Sequence, residues 1–309
     1  MRVLPRHSHE LTGLDILESG LTDRVGSICE RDFVRRSLEG MDAVIHAATL
    51  HKPHVASHGR QEFIDTNLTG TLNLLEAASA AGVSRFIYIS TTSTFGRALT
   101  PAEGDPAAWI TERVPPVPRN IYGTTKKAAE DLCEVVHREQ GLPCLVLRTS
   151  RFFPEPDDRD DVRAGYDDLN IKVNELLYRR IDLEDLVEVV RLALDRAPAI
   201  GFDRYVVSAT TPFTPDDLTA IRADLPAVVR RLYPVYEDVF GARGWRMFDS
   251  IERVYVNERA RRELGWEPRY GFQQALDALA GGGDPRSELA RSVGMKGYHP
   301  VSTGVYTVR

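Results

Sequence analysis

Tyr122 and Lys126 stand four residues apart in the segment Tyr122-Gly-Thr-Thr-Lys126. On a helix this spacing puts both side chains on one face. A phenol is a poor base at neutral pH, but an adjacent ammonium favours the phenolate and lowers its pKa. Such a pair can pass a proton to or from an alcohol or a carbonyl. Taken alone, the spacing describes a solvated helix face just as well. Upstream, the apolar run RFIYI leads into Ser90-Thr91-Thr92-Ser93-Thr94-Phe95-Gly96. A hydroxyl cluster at the carboxyl end of a parallel strand lies where open α/β sheets bind ligands. The plainer reading is a Ser/Thr-rich turn that caps the strand. One of these hydroxyls could bond the same substrate oxygen that Tyr122 protonates.

The elements that would position these groups follow from the hydrophobic pattern. Short apolar runs alternate with helical stretches through the first 210 residues, which predicts βαβ units and a parallel sheet. Strands are expected over residues 11–17, 25–28, 42–46, 85–90, 144–148 and 204–208. Helices are expected over 32–38, 63–80, 122–138 and 183–197, with Gly40, Gly82 and Gly141 as stops. Past residue 210 the rhythm changes. Thr214-Pro215-Asp216-Asp217 has the form of a capped helix start, and 257–264 is a helix stopped by Gly265. The tail from Gly281 carries no strong pattern. The expected organisation is a nucleotide-binding core over 1–210 and a small cap over 211–309 that also draws on 151–180.

Composition bounds the function classes. The 309 residues are 42% hydrophobic and 27% charged, close to the globular average. No apolar run is long enough for a membrane helix, and the opening MRVLPRHSHE has no signal-peptide core. The scattered Cys29, Cys133 and Cys144 point to a reducing compartment, and the cytoplasm is the expected setting. A net charge of −6 without a basic tract disfavours nucleic acid and anionic membranes as partners. A small molecule is the expected partner.

Several ordered motifs together resemble the extended short-chain dehydrogenase/reductase family of sugar-nucleotide epimerases, dehydratases and related reductases. They are Asp42-Ala-Val-Ile-His46-Ala-Ala48, Asn67-Leu-Thr-Gly70-Thr71-Leu-Asn73, RFIYISTTSTFG and the Tyr122/Lys126 pair. LVLR, Tyr178-Arg-Arg-Ile-Asp-Leu-Glu-Asp185 and Ala260-Arg-Arg-Glu-Leu-Gly-Trp266 follow. The resemblance implies a Rossmann-like, doubly wound parallel sheet with a small mixed C-terminal substrate-binding cap. By position, it makes Tyr122 the catalytic acid/base, Thr91 the catalytic hydroxyl, and Lys126 the group that holds the nicotinamide ribose. Asp15 and Ile16 would meet the adenosine ribose, with Asp15 favouring NAD over NADP. Ala47 and Ala48 would line the pyrophosphate, and Asn67 and Ser90 complete the cofactor set. For Asn67 a packing role is the alternative. Thr92, His51, Phe152 and Arg180 are the expected substrate contacts. A homodimer through the helices at 63–80 and 122–138 is implied as well.

Departures from the family pattern carry information. The family's dehydratases place an Asp-Glu pair directly after the catalytic hydroxyl, where this chain has Thr92-Ser93, so elimination of water is not expected. Ser27 replaces an adenine-binding Asp, and Thr149-Ser-Arg-Phe-Phe-Pro154 replaces the usual sugar-nucleotide loop. Residues 1–30 hold no G-x-x-G-x-x-G turn, so the first βα unit is expected to be missing, with a misassigned start at Met1 favoured over a truly truncated chain. Residues 1–10 then read as the end of that unit's helix and the turn into the second strand.

Three further features have two readings each. His51, His54 and His58 have helix-face spacing, but Pro53 and the absence of a following acidic or thiol ligand favour a substrate-lining loop over a metal site. Arg179 and Arg180 could bind a phosphate or pair with Asp182, Glu184 or Asp185. Trp245, Phe248 and Tyr255 could stack on a ligand or pack a small core. The expected function is an NAD(P)-dependent oxidoreductase or epimerase at a secondary alcohol or ketone. The alternatives are a ketone reductase on a non-sugar substrate and a non-catalytic NAD(P)-sensing or scaffold protein.

Overall fold

A computed structural model describes residues 9–157 and 159–293. In chain order the elements begin with β1 (Leu14–Asp15), β2 (Arg24–Val25), α1 (Arg31–Leu38), β3 (Ala43–His46), α2 (Arg60–Ile64), α3 (Gly70–Ala80) and β4 (Arg85–Thr91). Then come β5 (Ala108–Ile110), α4 (Ile121–Gln140), β6 (Cys144–Thr149), β7 (Arg151–Phe152), α5 (Asp160–Gly165), α6 (Asp168–Glu175) and β8 (Arg180–Ile181). They end with α7 (Leu183–Ile200), β9 (Phe202–Val207), α8 (Leu218–Ala223), α9 (Leu225–Leu232), α10 (Tyr236–Gly241), β10 (Arg253–Tyr255), α11 (Glu258–Leu264), α12 (Phe272–Ala280) and α13 (Glu288–Val293).

The chain divides in space into two units. Among the described residues the first takes 9–94, 118–148 and 187–205, and the second takes 95–117, 149–157, 159–186 and 206–293. The chain crosses between the units five times, and the last crossing, at 205/206, lies near the boundary expected at residue 210.

In the first unit β3, β4, β6 and β9 form a four-stranded sheet in that order, and β1 pairs with β2 in a separate parallel pair. β3 and β4 run parallel, with Ala43 opposite Arg85 and His46 opposite Tyr88. β6 is buried at every position, as a strand inside a covered sheet should be, with Cys144–Leu147 apolar and Arg148 a buried charge. Val34, Leu38, Leu74, Leu75, Phe86, Ala129, Cys133 and Val146 make the core beneath it. Each large side chain buried there contributes roughly 1.5–3 kcal/mol. Gly141 ends α4 in the left-handed region at φ 74°.

The helix expected over 63–80 is real but not uniform. α2 and α3 are joined by a π-helical turn over Asp65–Thr69, in which Gly70 N–H reaches back to Asp65 O. A π turn inserts one extra residue into the ladder and redirects the side chains it carries. Periodicity cannot show it, because the apolar stripe resumes on the far side.

In the second unit β5 pairs with β10 and β7 with β8, both parallel. Its core includes Tyr236, Phe240, Met247 and Phe272, with Trp245 and Phe248 packed against it. Tyr255 is buried with Phe95 and Ile110. These three sequence candidates are therefore packing residues. The Asp185 carboxylate accepts from Arg269 N–H and Tyr270 N–H at 2.8 and 2.9 Å, and burial pushes its pKa up to about 6. Asp182 takes Ser287 N–H at 3.2 Å, which pins the segment before α13. That helix was invisible in a tail with no apolar stripe. Most of the reading of residues 1–10 falls on residues 1–8, which lie outside the described residues.

Candidate active site

The first unit brings most of the expected site residues to one end of its sheet. Asn120 caps α4, its Oδ1 accepting from Gly123 N–H at 3.0 Å. One turn later Tyr122 and Lys126 are both buried, at 2% and 1% exposure. Gly123 lets this turn lie against the hydroxyl loop after β4. A Cβ there would come within 3.0 Å of Ser93 O and 3.2 Å of Pro118 Cβ. Gly123→Ala is thus expected to leave the melting temperature nearly unchanged while lowering kcat roughly tenfold, because a few tenths of an ångström separate a productive from an unproductive geometry. Equal kcat in both proteins would contradict the close approach as a functional feature.

Thr91, at the end of β4, is buried, and its hydroxyl oxygen accepts from Ser93 N–H at 3.1 Å. Thr94 Oγ1 donates to Thr91 O at 2.9 Å. The turn therefore holds the Thr91 hydroxyl with its hydrogen still to donate. Thr92 is buried in the same turn. The His51 ring packs against Tyr122, centroids 4.9 Å apart at 57°. His54 Nδ1 accepts from His51 N–H at 2.7 Å, which fixes the loop that carries His51. Among the described residues no group of three or more His, Cys, Asp or Glu is placed to hold a metal ion.

Lys126 Nζ donates to Ile89 O at 2.7 Å and stands 4.1 Å above the centre of the Tyr88 ring. Burial pulls its pKa down to about 7, against the Glu130 carboxylate, which raises it. His46, fully buried on β3, bonds Thr71 Oγ1 at 2.9 Å, and Thr71 donates to Asn67 O at 2.7 Å. The network therefore assigns the donating hydrogen to His46 Nε2. Burial, and then the Lys126 charge, lower the His46 pKa from 6.5 to about 3. A folded value below the unfolded one means that this group's contribution is complete above about pH 6.5 and is lost as pH falls towards 3. His46→Gln keeps a donor for Thr71 and is expected to flatten the fall of melting temperature between about pH 6 and 4. An unaltered slope would contradict a neutral, buried His46.

Two of the expected cofactor residues spend side-chain hydrogen bonds within the protein. Asn67, brought inward by the π turn, accepts from Leu50 N–H at 2.7 Å and Thr49 Oγ1 at 2.9 Å. Its Nδ2 donates to Leu50 O at 3.0 Å and Thr125 Oγ1 at 3.1 Å. With this hydrogen bonding satisfied by protein, Asn67 clamps the loop after β3 onto α4 and acts on the site through that loop. Ser90 Oγ donates to Glu130 Oε1 at 2.5 Å. Arg180 is corrected too. In the second unit it is fully buried, pairs with Glu175, and donates to Phe152 O, Phe153 O and Glu155 O at 2.6–3.0 Å. Its partner is not among the acids that the sequence offered, and its guanidinium is committed to its own fold. Phe152, half-buried on β7, lies in the same unit.

Asp15 is exposed at the end of β1, its Oδ1 accepting from Leu17 N–H at 3.0 Å. Ile16 is 66% exposed, and Ala47 and Ala48 are exposed just after β3. The sequence reading missed the buried pair Glu130–Arg148, in which Arg148 Nη2 lies 2.7 Å from Glu130 Oε2. The signal was present: Glu130 extends the Tyr122, Lys126 face by one more turn, and Arg148 is a charge inside the otherwise apolar CLVL strand.

A family model described as the NAD dependent epimerase/dehydratase family matches residues 1–175. The 3-beta-hydroxysteroid dehydrogenase of Mycolicibacterium neoaurum is 24% identical, over 88% of this chain and 84% of that protein. The UDP-glucuronate 4-epimerase of Thermodesulfobacterium geofontis is 23% identical, over 82% of this chain and 76% of its own length. A short-chain dehydrogenase/reductase superfamily protein from Agrobacterium tumefaciens, solved with bound NAD, superposes with a TM-score of 0.64 at 24% identity, covering 94% of each chain. That likeness shows a shared Rossmann-type fold. With more than half of its length matched by the family model, this chain belongs to the NAD dependent epimerase/dehydratase family, whose cofactor is NAD.

Proposed function

We propose that this chain is an NAD-dependent oxidoreductase or epimerase that acts at a secondary alcohol or ketone of a sugar-type substrate. The observation that carries the reading is the burial of Tyr122 and Lys126 on one face of α4, with the first turn of that helix pressed onto the Thr91–Ser93 loop. The donor set suits NAD. Asp15 offers an exposed carboxylate for ribose hydroxyls, Ala47 and Ala48 present only methyl groups where a pyrophosphate needs room, and Lys126 offers an ammonium. NAD, when bound, accepts or returns the hydride.

The protein's own groups would then manage the oxygen and its proton. Thr91 donates to the substrate oxygen and holds it in place. Tyr122 takes the proton as the alcohol becomes a carbonyl and returns it in the reverse direction. Lys126 stabilises the phenolate by its charge. Thr92 and His51 border the same oxygen. Thr92 and Ser93 provide no carboxyl group to eliminate water, which supports oxidoreduction over dehydration.

A non-sugar alcohol is the second reading, supported by the similarity to a 3-beta-hydroxysteroid dehydrogenase along most of the chain. Incubation with NAD and either nucleotide uronates or 3-hydroxysteroids separates the two. Turnover of uronates supports the first reading, and turnover of steroids alone replaces it. Release of free NADH during turnover would identify a dehydrogenase; its absence, together with an inverted product, would identify an epimerase. A homodimer through α3 and α4 is part of the proposal, to be read by sedimentation.

A further inference from the structure

Glu130 lies inside the first unit with no exposed surface, one helical turn beyond Lys126. Three elements converge on its carboxylate. Arg148 of β6 grips it through Nε at 3.2 and 3.1 Å and through Nη2 at 2.7 Å. Ser90 of β4, the residue before Thr91, donates to Oε1 at 2.5 Å. Arg204 of β9 approaches Oε2 at 3.5 Å and also pairs with Glu134 and Asp131. A fork-to-fork arginine–carboxylate pair fixes direction as well as charge. Buried ion pairs add little net stability over apolar packing, so conformational specificity is their better-supported use. Here the conformation being specified is that of the strand end which carries Thr91 and of the helix turn which carries Lys126.

We infer that Glu130 is a positioning residue for the active site: clamped by Arg148, it ties the Thr91 end of β4 through Ser90 and keeps the Lys126 ammonium in place from the next turn of α4. The inference rests on the catalytic roles proposed above for Thr91 and Lys126. The titratable and charged groups around Lys126 are Tyr122, Glu130 and Cys133 on α4, His46 on β3, Tyr88 on β4, Arg148 on β6 and Arg204 on β9, with His51 and His54 on the loop that faces Tyr122. Glu130 is the one carboxylate in that set. Its removal takes a negative charge from beside Lys126 and takes from the Arg148 guanidinium its Glu130 partner, while Arg204 keeps Glu134 and Asp131, so both effects act on Lys126 in the same direction.

The test needs no substrate. The Lys126 side chain is titrated by carbon-13 NMR in lysine-labelled protein, with its resonance assigned by its loss in Lys126→Arg. Glu130→Gln is expected to move that titration down by about one pH unit or more. An unchanged titration in folded Glu130→Gln overturns the inference, whatever reaction the protein catalyses. Ser90→Ala probes the second link and leaves the Glu130–Arg148 pair intact, so it serves even if Glu130→Gln does not fold. It is expected to leave the Lys126 titration unmoved while lowering kcat about tenfold, with KM changed less than about twofold. Wild-type kcat in Ser90→Ala would overturn the link to Thr91. If the wild-type protein turns over neither uronates nor steroids, the proposed function fails, while the titration still decides the role of Glu130.

Discussion

Tyr122→Phe is expected to lower kcat by about 10²–10⁴-fold, the range spanned by loss of a positioned acid or base. That corresponds to about 3–5.5 kcal/mol of transition-state stabilisation. The substitution removes one oxygen atom and leaves the ring against His51, so the packing at 4.9 Å is kept. NAD affinity should change little, because the cofactor contacts assigned to Lys126, Asp15 and the alanine pair are untouched. The two measurements together are diagnostic. A fall in kcat with an unchanged dissociation constant, read by calorimetry, marks a group that acts in the transition state. Undiminished turnover would remove Tyr122 from the mechanism, and a parallel loss of NAD binding would reassign it to cofactor binding.

Arg148→Met is expected to destabilise the protein by about 3–5 kcal/mol, a large share of the roughly 5–15 kcal/mol that holds a typical domain together. The cause is the carboxylate left behind. Glu130 has no exposure to water, and after the substitution it retains only Ser90 at 2.5 Å and Arg204 at 3.5 Å. The double variant Glu130→Leu with Arg148→Met should recover most of the loss, since it removes both charges and fills the volume with apolar atoms. Chemical denaturation of the four proteins closes the cycle. Simple additivity of the two single effects would show that the pair is not coupled.

Much of the core and of the proton-transfer pair was legible in the sequence for physical reasons. Runs such as 144–147 are apolar throughout because both faces of a parallel sheet are covered, and the end of α4 was marked by Gly141. Tyr122, Lys126 and Thr91 were found because their chemistry depends on residue type at fixed spacing. What stayed hidden depends on three-dimensional closure. The π turn at 65–69 leaves no mark on the apolar stripe, yet it turns Asn67 inward and makes it a clamp. Arg180 has the residue type of an anion binder, and only the structure shows that Glu175 and three carbonyls consume it. Ser90 and Thr91 are adjacent hydroxyls that face different partners because successive strand residues point to opposite sides. A core and a cap were expected from the sequence, but their interleaving was hidden, since it follows spatial contact and crosses between the two units five times.

Stopped-flow mixing of the NAD-loaded protein with uronate substrates tests the central claim most directly, because a transient reduced-nicotinamide signal forms whether the product is released or retained. The wild type should show that signal, and Tyr122→Phe, with NAD still bound, should form it slower by about 10²-fold or more. A signal that rises equally fast in both proteins, or never forms in the wild type with any secondary alcohol, would contradict the account.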